Sequence, residues 1–168
     1  MCVRRKKYDG PERGITMVLK QKELEAIQDL QTQERSCVEK YKRYAQQAKD
    51  PELKKLFEAL EQKEREHYES LGKVLKGEVP SCNCNDCDGK NYQPKASYAN
   101  VDHDEDKQSD AFLVTDCIGT EKLVSSEYNT NVFVFANDAI RKLLADIQIE
   151  EQNHAEMLNK YKMVNGMA

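Results

Sequence analysis

Nothing in this 168-residue sequence approaches the roughly 20 consecutive apolar residues of a transmembrane helix, so no membrane partner is expected. The opening MCVRRKKYDGPERG is basic, but no apolar run follows it, and it does not read as a signal peptide. A solvated tail over residues 1–15 is expected instead, ahead of one domain spanning 16–168. Positive charge is not in excess: 26 Lys and Arg stand against 30 Asp and Glu, a net charge of −4. That balance gives no ground for a nucleic-acid partner. Six cysteines without a secretion signal favour a reducing, cytoplasmic setting, where clustered thiols serve metals more often than disulfides. Glycine and proline are missing from residues 16–48, TMVLKQKELEAIQDLQTQERSCVEKYKRYAQQA, which removes the usual signals for a turn or break and favours one helix.

What is present divides by composition. Helices are expected near 17–49 and 51–76, separated at KDP. Pro51 disfavours helix in the residue before it and suits a first helical turn, and Asp50 can cap that turn. Residues 77–111 are rich in Gly, Pro, Asn, Asp and Ser without periodicity and read as a long connection. A link of that length inside one domain calls for a reason, and a crossover along a bundle of two helical hairpins supplies it. Two more helices are expected near 113–136 and 138–164, with Asn137 or Asp138 as the cap and Gly166 beyond the end. Within them NVFVFA could pass for a strand on composition alone.

The two helical halves repeat. Shifting the sequence by 87 positions superposes Glu34 on Glu121, Tyr41 on Tyr128, Asp50 on Asn137, Glu64 on Glu151 and His67 on His154. From Glu34 to the turn at Asp50 and from the turn to Glu64 are about 16 and 14 residues, roughly 21–24 Å each at 1.5 Å per residue. The two glutamates of each hairpin therefore stand level. Glu64 and His67, and likewise Glu151 and His154, share one helix face. That face is otherwise the apolar stripe of Leu53, Leu56 or Phe57, Leu60, Leu71 and Val74 in one helix, and of Ile140, Leu143 or Leu144, Ile147, Leu158 and Tyr161 in the other. A carboxylate buried without a partner costs several kcal/mol. Glutamate makes up 18 of the 168 residues, so one Glu near a His is commonplace; the same two offsets at two of only three histidines are not. Four glutamates and two histidines at one level imply cations. They form the ligand set of di-iron and di-manganese carboxylate bundles, a Glu from each of two helices and Glu-x-x-His from each of the others.

The six ligands, with a tyrosine seven residues after Glu34 and after Glu121, resemble the ferritin-like superfamily, rubrerythrins in particular. Over 115–168 the TEK, YNT, LLADIQIEEQNH and NGM stretches resemble the coat F family of spore coat proteins. The resemblance implies an all-α, ferritin-like four-helix bundle of two repeated hairpins joined by a long crossover. It implies that Glu34, Glu64 and His67 bind mainly one metal and Glu121, Glu151 and His154 the other. The two ions would lie about 3.5–4 Å apart, with one or two glutamates bridging. Tyr41 and Tyr128 would hydrogen-bond the ligand carboxylates, or serve only as core tyrosines. Glu127 is an alternative ligand on the third long helix, but its repeat mate is Lys40. Glu61, one turn before Glu64, has Gln148 as its mate.

Rubrerythrins also carry an iron site of two Cys-x-x-Cys pairs, which this chain lacks. The connection holds Cys82, Cys84 and Cys87 in CNCNDCDG. Three readings stand: a metal site completed by His103, Cys2 or Cys117; redox-active or crosslinking thiols; or no specific role. Cys37 and Cys117 read as small packing residues. The function expected is redox chemistry at two iron ions, with manganese or zinc as other occupants. Ferrous oxidation or peroxide or oxygen reduction would draw on an external electron donor. The alternative is a structural component of the spore coat with a structural or vestigial metal site. A homodimer or other coat proteins are the candidate assembly partners, and the spore coat is the alternative location to the cytoplasm.

Overall fold

The computed structural model describes residues 18–81, 87–98 and 104–167. The tail at 1–15, Cys2, Cys82, Cys84 and His103 lie outside the described residues. Four long helices are present: α1, Gln21–Gln47; α2, Pro51–Leu75; α4, Glu105–Asn131; and α5, Asp138–Val164. A single helical turn, α3, Asp88–Asn91, lies in the connection between the halves. No strand occurs among the described residues, and none of their helices is long and apolar enough to cross a membrane. The sequence NVFVF forms no strand: Val132–Val134 form a 3-10 turn that continues α4, and Phe135 is buried in the core.

Each hairpin closes as the capping residues dictate. The Asp50 side chain accepts from Glu52 N with Pro51 at the first helical position, and Asn137 accepts from Ala139 N and Ile140 N. Gly77 and Gly166 take positive φ, 88° and 59°, just past the ends of α2 and α5, where a side chain would be strained. α1 packs mainly on α2 and α4 mainly on α5. Lys40 reaches Asp116 and Thr120, so α1 runs antiparallel to α4; Tyr161 reaches Asp50, so α5 runs antiparallel to α2. α2 thus ends at the opposite end of the bundle from the start of α4, and the connection must travel its length. On the way α3 docks on α5, where Asn153 accepts from Gly89 N and Lys160 donates to Gly89 O.

The start of α4 corrects the sequence reading. The helix begins at Glu105, eight residues before the expected 113, and shortens the connection at that end. The polar run DEDKQSD carries its own start signal: Asp104 accepts from Asp106 N and Lys107 N, and Glu105 and Asp106 suit the positive end of the helix. Asp110, fully buried, then reaches across to accept from Lys49 N, Asp50 N and the Tyr98 hydroxyl. Its repeat mate is Glu23, which accepts from Ala136 N, the mate of Lys49. Each half therefore uses a carboxylate near the start of its first long helix to hold the other half's turn. Between these ends the apolar core forms two clusters. One contains Ile27, Leu30, Leu71, Val124, Ile140 and Ile147, the other Leu53, Phe57, Leu60, Val114 and Leu158.

Candidate metal centre

A polar layer occupies the bundle at mid-height, where α1, α2, α4 and α5 each turn inward residues that the apolar stripe would otherwise supply. Glu34, Glu64 and Glu151 are fully buried, Glu121 is 1% exposed, and His67 and His154 are each 3% exposed. One ligand atom from each of Glu34, Glu64, His67 and Glu151 lies within 4.8 Å of the others, and the same holds for Glu64, Glu121, Glu151 and His154. The structure thus brings all six sequence-predicted residues together, in two overlapping groups. Glu64 and Glu151 belong to both, and Glu34 and Glu121 to one each.

The geometry follows the repeat. His67 Nδ1 stands 3.0 Å from Glu151 Oε1, 3.3 Å from Glu64 Oε2 and 3.8 Å from Glu34 Oε2. His154 Nδ1 stands 3.0 Å from Glu64 Oε1, 3.5 Å from Glu121 Oε2 and 3.8 Å from Glu151 Oε2. Each imidazole is nearest the carboxylate of the facing helix, and the two rings stack with centroids 5.7 Å apart. Both tyrosines cross between the halves: Tyr41 donates to Glu121 Oε1, and Tyr128 to Glu34 Oε1. A helical side chain leans toward the N-terminus of its own helix, so a tyrosine two turns beyond its glutamate returns to the glutamates' level. Burial, reinforced by the charge of Glu121 or Glu34, pushes both phenols up, which keeps them protonated as donors.

Nine buried side-chain polar atoms among the described residues have no hydrogen-bond partner, and eight belong to these six residues. They are Glu34 Oε2, both oxygens of Glu64 and of Glu151, Glu121 Oε2, and Nδ1 of both histidines. Buried polar atoms are nearly always satisfied. Eight exceptions converging at one level fit a mixed oxygen and nitrogen donor set for metal cations. Protons balance part of the charge without an ion. Burial, with the Glu64 charge beside it, raises Glu34 to about 8, and burial with the same neighbour holds Glu151 well above the carboxylate range. Burial would also raise Glu64, but the positive charge of the two histidines beside it, His154 first, holds it low. Burial opposes charge on the two histidines, yet the surrounding carboxylates outweigh it and hold both well above 6.5.

The sequence reading missed Glu150. Its carboxylate accepts a hydrogen bond from His67 Nε2, the ring nitrogen turned away from the cluster. The one signal for it in the sequence is a second consecutive glutamate in IQIEEQNH, and the repeat gives no support, since its mate is Lys63. The other candidates lie elsewhere. Glu127 is exposed, beside a shallow cavity between α1 and α4. Glu61 pairs with Arg65 at 2.7 Å. Cys37 and Cys117 are buried in helices, and burial pushes both thiols up. Cys87 is exposed just before α3.

No helix of the second half lacks its counterpart in the first, yet the halves match different families. Residues 2–75 match the family Rubrerythrin, and residues 109–168 match the Coat F domain. No curated protein and no solved structure matches the chain. The fold is that of a ferritin-like helical bundle, and its buried cluster of acidic and histidine side chains could bind metal ions. One bundle thus joins a first hairpin similar to rubrerythrin to a second similar to the Coat F domain.

Proposed function

We propose that this chain is a di-iron carboxylate redox protein that oxidises ferrous iron or reduces peroxide or oxygen at its buried cluster. The observation that carries the reading is the set of eight buried O and N atoms at one level of the core that have no hydrogen bond. Two bound irons would supply two electrons to an oxygen species in one encounter. The chain's own part is to hold and release charge. Glu64 and Glu151, each with both oxygens unpartnered, are the bridging candidates. Glu34 and Glu121 each give one oxygen to a tyrosine and turn the other inward, so Tyr128 and Tyr41 orient the terminal ligands. Loading a cation displaces protons from Glu34, Glu151, His67 and His154, so the buried charge stays near balance in both states. The apolar clusters above and below exclude water and keep the helices fixed.

The experiment is anaerobic loading with ferrous iron, followed by metal analysis, an optical spectrum after oxidation, and peroxide and oxygen consumption with a supplied donor. Two irons per chain and consumption faster than free iron support the reading. Two irons without such consumption defeat the enzyme reading. A second reading then leads, favoured by the Coat F match over 109–168: a spore coat component in which the metal serves stability. Location at the spore coat belongs to that reading, and the cytoplasm to the first.

A further inference from the structure

Among the described residues, the side chains that hydrogen-bond or ion-pair within the cluster keep the repeat at four pairs and break it at one. Glu34 and Glu121, Tyr41 and Tyr128, Glu64 and Glu151, and His67 and His154 all correspond. Position 150 is Glu and its mate, position 63, is Lys. We propose that Glu150 is a positioning residue that makes the two metal positions unequal, so that the position formed by Glu34, Glu64, His67 and Glu151 binds its ion more tightly and fills first. The inference rests on the di-metal reading above and deepens it.

Glu150 sits on α5 facing α2, largely buried, with its carboxylate on His67 Nε2. That hydrogen bond keeps one ring proton on Nε2, so the proton an ion displaces is the one on Nδ1, and the lone pair it frees faces the cluster. It also fixes the ring plane before any ion arrives. A carboxylate on the far nitrogen of a ligand histidine strengthens the donor, and losing such a partner costs about 10–100-fold in metal affinity. The other half offers the reverse. Lys63 Nζ lies 3.6 Å from Asp88 Oδ2 and serves the connection between the halves. Among the described residues no carboxylate meets His154 Nε2; its ion-pair contacts all run through Nδ1. The ring of His154 is therefore held by packing, while that of His67 is held by packing and a charged hydrogen bond.

Two equal positions would also fill in two steps, because the first ion repels the second. The test therefore isolates each position. Cobalt(II) binding to the full chain is followed by its visible absorption in wild type, in His154→Ala, which leaves the His67 position, and in His67→Ala, which leaves the His154 position. Circular dichroism confirms that each variant is folded. His154→Ala is expected to bind cobalt at least tenfold more tightly than His67→Ala. Adding Glu150→Gln should weaken binding to His154→Ala by about tenfold or more and leave His67→Ala within about twofold. A merely structural role for Glu150 would weaken both backgrounds alike, and that result overturns the proposal. So does equal affinity of the two single-histidine variants while wild type binds two ions. Wild type that binds no cobalt overturns the di-metal reading itself, and the inference with it.

Discussion

Raising the pH from 6 to 8 should destabilise the metal-free protein, and a bound metal should remove that effect. Glu34 has its proton held to about 8 by burial and by the charge of Glu64, against an ordinary value of 4.5. Between those values the folded state carries a proton that the unfolded chain has released. Stability therefore falls as pH rises, by about 1.4 kcal/mol per unit for one such group. The slope lessens near pH 8, where the folded group is half ionised, so from pH 6 to 8 Glu34 alone removes about 2 kcal/mol, or about 4–8 °C in melting temperature for a domain of this size. Glu151 is raised for the same reasons and acts in the same direction. His67 and His154 are held well above 6.5, so their contribution is full below 6.5 and is lost as pH climbs toward their folded values. Glu64 is depressed; its contribution is complete above 4.5 and flat across this window. With ions bound, the carboxylates are ionised in both the folded and unfolded states and the imidazoles are neutral when folded. Stability should then decline only as pH falls below about 6.5, where the unfolded histidines take up protons. Thermal melts by circular dichroism at pH 6, 7 and 8, after chelation and again with saturating zinc, read both trends. Chelated protein that melts at the same temperature or higher at pH 8 than at pH 6 would refute the reasoning.

Other consequences are equally open to measurement. Replacing His67 and His154 together with alanine should abolish bound iron and any ferroxidase or peroxidase turnover, while the chelated variant still folds with a lowered melting temperature, because the carboxylates can take up protons; metal analysis, peroxide consumption and melting check this. Tyr41→Phe and Tyr128→Phe should each leave a buried carboxylate oxygen without its donor, at a cost of about 1–3 kcal/mol in urea denaturation of the chelated protein. Asp110→Ala should cost about 3 kcal/mol by the same assay, because Lys49 N, Asp50 N and the Tyr98 hydroxyl lose one acceptor together. Glu127→Ala should leave metal stoichiometry unchanged, since that side chain is exposed outside the cluster.

The helices and the candidate ligands were legible in the sequence because both obey periodicities that one dimension records. Glu64 and His67 lie in register with Leu60 and Leu71, so the polar pair shares a face with the core whatever the neighbours do. The 87-residue repeat carried that register to Glu151 and His154 and set the height of Glu34 and Glu121. The start of α4 was half legible: Asp104 and the acidic turn after it are a cap signal, but a run as polar as DEDKQSD reads as loop until Asp110 is seen taking the amides of the opposite turn. Composition left NVFVF between strand and helix, and the core that receives Phe135 decided it. Pairings across the bundle were decided by tertiary structure alone. No spacing says that Tyr41 bonds Glu121 rather than Glu34, that Glu64 and Glu151 are the shared carboxylates, or that Glu150 holds His67. Sequence periodicity states which side of its own helix a residue occupies. Which residue of another helix it meets depends on how the two axes are offset and rotated, and packing of the whole core sets those.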